Sequence, residues 1–179
     1  MKNSINNWRS QLQLLLIIFS GLSEFVYAIN ETPINKTNWL NHPKVQEIRD
    51  IYNQIESRIT NNTLDKSEKS IAYEGSSVPT SRIIYVDKLG IARKYIEEAG
   101  SDDSTLTSNY YYDHAGRLRF VFITGGAING SQLEHRIYFD TSGKRIWEIQ
   151  KYLTDIHYTF PSIWPKKDLI FEPQKAFNK

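Results

Sequence analysis

One unit is written three times along the middle of this chain. It reads Tyr85-Val86-Asp87-Lys88-Leu89-Gly90, then Tyr111-Tyr112-Asp113-His114-Ala115-Gly116, then Tyr138-Phe139-Asp140-Thr141-Ser142-Gly143. Each copy is an aromatic or β-branched run, then Asp-x-x-Gly, then a second apolar run. The Asp positions lie 26 and 27 residues apart, a spacing at which a repeated structural unit is expected.

Asp-x-x-Gly between strand-like runs is a turn with a physical cause. The Asp carboxylate accepts hydrogen bonds from backbone N–H groups two or more residues on, which favours a type I turn. Gly at the fourth position takes φ > 0 without a Cβ clash, as a hairpin with a glycine bulge requires. The flanks are rich in Tyr, Phe, Ile and Val, which suit a pleated surface. Residues 82–87 should therefore pair with 91–97, 107–113 with 117–123, and 133–140 with 144–152. Residues 70–74 add a short edge strand. The expected fold is α+β: an antiparallel β-meander of six or seven strands with one N-terminal amphipathic helix on one face.

Tyr112-Asp113-His114-Ala115-Gly116-Arg117-Leu118 resembles the YD-repeat pattern, Tyr-Asp-x-x-Gly-Arg-Leu, of large secreted bacterial wall and toxin-shell proteins. Phe139-Asp140-Thr141-Ser142-Gly143-Lys144-Arg145 is a looser copy. Val86-Asp87-Lys88-Leu89-Gly90-Ile91-Ala92 departs further, with no aromatic before Asp and no basic residue after Gly. The resemblance covers the middle third of the chain and implies hairpins, not an activity. As a whole the chain is similar to small exported proteins of bacteria.

The start reads as an export signal. Lys2 and Arg9 precede an apolar core over residues 12–19, and Val26-Tyr27-Ala28 places small residues where a signal peptidase reads them. Cleavage is expected after Ala28. The apolar run is too short to span a bilayer comfortably. Loss of residues 1–28 lowers the formal charge from +2 to +1. So balanced a chain lacks the concentrated basic excess of a nucleic-acid binder. With no Cys, neither a disulfide nor a lipid-modified cysteine is expected. A periplasmic or secreted location follows.

Residues 29–42 read as a flexible lead-in and 43–179 as a single α+β domain. Asn30-Glu31-Thr32, Asn35-Lys36-Thr37, Asn61-Asn62-Thr63 and Asn129-Gly130-Ser131 match the N-glycosylation acceptor, which matters only in a eukaryotic source. The strong helix is 43–59. Pro43 suits its first position, and Val45, Ile48, Ile51, Tyr52, Ile55 and Ile59 share one face. Residues 61–70 read as a polar connection. Residues 97–106 read as a polar loop whose carboxylates (Glu97, Glu98, Asp102 and Asp103) lack the alternating spacing of a calcium site. Residues 124–131 are glycine-rich and read as a long flexible link. Beyond Tyr152, aromatics interleaved with Pro161 and Pro165 predict an extended tail over the domain.

Strict alternation gives the sheet one apolar face, expected to receive the helix, and one mixed face. Arg119, Arg136, Tyr138, Arg145 and Trp147 fall on the mixed face as candidate ligand-binding residues. Aromatics stack on sugar rings or peptide side chains, and Arg fixes a carboxylate or phosphate. The opposing reading of that face is ordinary cross-strand pairing, such as Arg136 with Glu148 or Arg119 with Glu134. No Ser has a nucleophile-elbow context and no His pair has metal spacing. Neither catalytic residues, a metal nor a cofactor is expected. Function then reads as an exported, non-enzymatic binding module for a protein or glycan, monomeric or weakly oligomeric. It would use the mixed face or the 97–106 and 124–131 loops. Two alternatives stand beside it: a periplasmic carrier with an apolar cavity between helix and sheet, and a hydrolase built on His135 and a nearby carboxylate.

Overall fold

In a computed structural model, which describes residues 32–74, 78–156 and 158–179, each Asp-x-x-Gly stretch closes a hairpin by the same bonds. Asp87, Asp113 and Asp140 each use one carboxylate oxygen to accept from the backbone N–H groups two and four residues on, at 2.9–3.1 Å. The glycine N–H donates back to the Asp carbonyl at 2.8–3.1 Å. Gly90, Gly116 and Gly143 hold φ of +75°, +75° and +77°, where a Cβ is disfavoured. These turns join β2 (Thr80–Val86) to β3 (Ala92–Gly100), β4 (Ser104–Tyr112) to β5 (Leu118–Ala127), and β6 (Gln132–Phe139) to β7 (Arg145–Tyr152). With β1 (Asp65–Ile71) they form a seven-stranded antiparallel meander in sequence order. The fold is α+β, with two helices, α1 (Pro43–Thr60) and α2 (Pro173–Asn178), among the described residues.

Three elements differ from the sequence reading. The edge strand lies at Asp65–Ile71, in the stretch read as a polar connection, rather than at 70–74; its exposed Lys66 and Glu68 suit a sheet edge, where charge deters further pairing. β3 continues to Gly100 and β4 begins at Ser104, so most of 97–106 is strand and the turn is confined to residues 101–103. Likewise β5 runs through Gly125 and Gly126, and residues 127–131 close on themselves, with Gly130 N–H donating to the Ala127 carbonyl at 2.9 Å. Gly125 has a packing reason: a Cβ there would stand 3.0 Å from the Phe160 ring of the tail. The export leader and its cleavage position lie outside the described residues, as does His157.

Each repeated turn is followed by a bulge. Tyr85 pairs with Lys94 but Val86 with Ala92; Tyr111 with Phe120 but Tyr112 with Leu118; Tyr138 with Trp147 but Phe139 with Arg145. Arg93, Arg119 and Ile146 are thus the extra residues, two positions standing against one. Beyond each bulge the alternation of faces is reset. Leu118 packs with Val121 and Ile123, whereas Phe120 packs with Tyr111 and Tyr138.

The sheet carries two separate cores. Residues 34–179 form one compact unit. On one side, cross-strand neighbours Tyr85, Lys94, Tyr111, Phe120, Tyr138 and Trp147 form a row. The apolar side chains of that row pack with Val45, Ile48 and Ile55 of α1. His42 caps the helix by accepting from the Lys44 N–H at 3.3 Å, and Pro43 occupies its first turn. Trp39, just before α1, stacks on Trp147 of β7; Tyr52 meets Phe120 of β5 and Tyr111 of β4; Glu56 bonds Lys94 of β3. The 18 residues of α1 measure about 27 Å. That length matches five strand spacings of about 4.8 Å, so the helix crosses the strands.

On the other side Ile84, Tyr95, Tyr112, Val121, Ile137 and Phe139 are buried with Leu169 of the C-terminal segment. Tyr112 donates its hydroxyl to the Ile170 carbonyl at 2.8 Å, Phe171 meets Phe139 edge-on, and Arg82 donates to the Ala176 carbonyl of α2. The more apolar face therefore carries the tail, and the mixed face meets α1. This reverses the assignment made from alternation, because the bulges place Phe120 beside Tyr138.

Candidate functional site

The five residues singled out from sequence do not form one surface. Arg145 pairs with Phe139 across the bulge and lies on the tail side, where its guanidinium bonds Glu148 and the Trp164 carbonyl. Arg119, Arg136, Tyr138 and Trp147 lie on the α1 side, but two of these four are spent internally. Arg119 is buried, donating to the Phe139 carbonyl at 3.1 Å and to Glu47 of α1 at 3.0 Å, with Asp113 3.7 Å away. Trp147 stacks on Trp39 with ring centroids 6.2 Å apart and planes 22° from parallel. Expected pairs of Arg136 with Glu148 and Arg119 with Glu134 are replaced by Arg136 with Glu134 and Arg119 with Glu47.

Arg136 and Tyr138 remain together, and they line a cleft of about 370 Å³ between α1 and strands β5 and β6. Trp39, Leu40, Ile48, Arg49 and Tyr52 form one wall; Phe120, Phe122, Arg136 and Tyr138 form the other. The aromatic lining is continuous. Phe120 lies 4.8 Å from Tyr138 and 6.3 Å from Phe122, the latter nearly parallel at 7°, and Tyr52 stands edge-on to Phe120 at 88°. Trp39 closes the row 6.2 Å from Tyr138. The guanidinium of Arg136 sits 5.0 Å above the Phe122 ring and is held from its edge by Glu134. A volume of this size falls at the small end of ligand sites, roughly 300–1,000 Å³.

Electrostatics keep the two phenols of the cleft protonated. Burial pushes the Tyr52 hydroxyl up, Glu56 adds to this, and Arg136 opposes it. Burial likewise raises Tyr138, against the pull of Arg136 and Arg49. Neither hydroxyl has a hydrogen-bond partner among the described residues. The neighbouring Tyr111 differs: it donates to Glu56 at 2.9 Å, and Lys94 meets the same carboxylate oxygen at 2.6 Å.

A second depression of about 370 Å³ lies at the sheet end, between the 101–104 and 127–131 turns. Its lining is mixed, and of its two carboxylates, Asp102 and Asp103, the latter is already engaged by Ser101 at 2.6 Å and Tyr158 at 3.0 Å. Glu97 and Glu98 sit on β3, bonded to Arg82 and Thr107. Among the described residues no three His, Asp or Glu side chains come together as a metal site needs.

His135 has a carboxylate neighbour, Glu148, at 2.7 Å from Nε2. The ring is 1 % exposed, enclosed between the sheet and the edge of Trp164 at 6.5 Å. Its Nδ1 has no hydrogen-bond partner among the described residues. His135 is thus buried beneath the tail, on the opposite side of the sheet from the cleft, while its partner Glu148 stays partly exposed.

Sequence reasoning missed Trp39, Leu40, Arg49, Phe120 and Phe122 as site residues. Trp39 and Leu40 lay in the stretch read as a lead-in. Strict alternation from Arg119 puts Phe120 and Phe122 on the face opposite the mixed one. The available signal was the glycine turn itself, since a bulge beside it shifts the face of every residue beyond. No family model matches the chain, and comparison with curated proteins and with solved structures finds no match. No helix among the described residues is long and apolar enough to cross a membrane.

Proposed function

We propose that this chain is an exported, non-enzymatic binding module whose ligand seats in the aromatic cleft between α1 and strands β5 and β6. The observation that carries this reading is the unfilled space between helix and sheet. Here some 370 Å³ stays open beside five aromatic rings, with two arginines at hand. Such a cleft, mostly apolar with a few polar groups, is the usual form of a small-molecule site. The mixed face and the helix–sheet cavity, separate alternatives in the sequence, become one site because α1 lies over the mixed face. Export rests on the amino-terminal pattern, Lys2 and Arg9 ahead of an apolar core and Ala28 at the cleavage position.

Binding of naphthalene-sized aromatics, followed by tryptophan fluorescence of the mature chain, tests the site. Phe122→Ala removes one wall and is expected to lower affinity about tenfold, by removal of buried aromatic contact. Affinity that does not change in Phe122→Ala excludes the cleft. For export, the intact mass of protein recovered from the periplasm or medium should match a chain beginning at Ile29; a full-length mass there contradicts the leader.

A further inference from the structure

Two arginines approach the cleft from opposite walls, Arg49 from α1 and Arg136 from β6. Their existing bonds leave donors unspent. Arg49 makes one hydrogen bond, from Nη1 to the Leu40 carbonyl at 3.0 Å. Arg136 is bonded to Glu134 through Nη2 alone, and its plane is held over Phe122. A guanidinium carries five N–H donors, so both retain several. None of the residues that line the cleft is acidic. The phenols of Tyr52 and Tyr138 stand in the same cleft with no protein partner, each a donor in its protonated form. Both arginines act electrostatically on Tyr138; on Tyr52 the effect of Arg136 is opposed by the larger one of Glu56.

Donors without acceptors, beside flat apolar walls, specify a ligand by complement. We infer that the cleft selects a small planar aromatic carboxylate, its ring against Phe120 and Phe122 and its carboxylate between Arg49 and Arg136. A carboxylate offers four lone-pair sites and no donor, which is what two guanidiniums and two phenols can saturate. Glu134 contributes by orienting Arg136, as an outer carboxylate orients a binding cation. This inference rests on the cleft being the ligand site.

The experiment compares 2-naphthoate with 2-naphthylmethanol, two probes of nearly the same shape that differ in charge, by tryptophan fluorescence on the mature chain. The carboxylate should bind about tenfold or more tightly than the alcohol, the size of one or two charge-assisted hydrogen bonds. Arg49→Gln and Arg136→Gln should each bring that ratio down toward one. Arg49 is exposed on the helix, so its variant carries the test even if Arg136→Gln fails to fold. Equal affinity for both probes overturns the anion preference and leaves the cleft standing as an apolar site. Failure of both probes to bind at millimolar concentration overturns the cleft as well.

Discussion

His135 is the residue whose environment makes the sharpest demand. Burial lowers its pKa, and the bond to Glu148 opposes that without reversing it, while Arg145 adds to the lowering. Geometry gives the same sign. With Nε2–H donating to Glu148, Nδ1 is a bare lone pair; a proton there would be a buried donor with no acceptor. The groups facing the ring are Glu148 and Arg145 of β7 and Trp164 of the tail. A folded pKa below the unfolded one means that the unfolded chain binds the extra proton first. Stability is therefore full above about pH 6.5 and falls as the pH drops from there through the lower folded pKa. The urea midpoint should be lower at about pH 5.5 than at about pH 8, and His135→Asn should flatten that difference. An unchanged pH dependence in the variant would refute the assignment to His135. The hydroxyl of Tyr112 and the carbonyl of Ile170 share no titratable partner with this group, so they give a tail contact against which to read it.

Among the elements, the three hairpins were legible because their cause is local: a carboxylate, two N–H groups and a glycine within five residues. The faces were not, because strict alternation carries no break at Arg93, Arg119 and Ile146, where the bulge beside each glycine turn resets it. Arg119 and Phe120, adjacent in sequence, both reach the α1 side. The edge strand expected at 70–74 lies instead at Asp65–Ile71, since Asp-Lys-Ser-Glu-Lys-Ser carries no apolar alternation to mark it, and at an edge it needs none. Helix α1 was legible from its stripe, yet its seat depends on groups the stripe does not contain. Glu56 accepts from both Tyr111 and Lys94, and the Lys94 side chain is only 9 % exposed. Glu56→Ala leaves an enclosed ammonium and a buried phenol without their acceptor, and should cost about 2–3 kcal/mol in urea unfolding. A loss within about 0.5 kcal/mol, the size of an ordinary surface change, would mean that this bond does not seat the helix.

At the scale of the molecule, one meander separates two dissimilar cores. The tail side is sealed by Phe160, Leu169 and Phe171, and Gly125 gives Phe160 the room to approach. The α1 side is sealed only along the row that ends at Tyr138 and Trp147, and it opens beside Phe122 and Arg136. Of the candidate site, Arg136 and Tyr138 were readable as a basic–aromatic pair on one strand. The wall opposite them belongs to residues about 90 positions earlier, which only the fold brings near. The most direct measurement is a map of backbone amide shifts in the mature chain as 2-naphthoate is added. The account predicts that the perturbed amides cluster at residues 39–40, 48–52, 120–122 and 136–138. Shifts centred instead on the turns at 101–104 and 127–131, or no shifts at saturating probe, would contradict it.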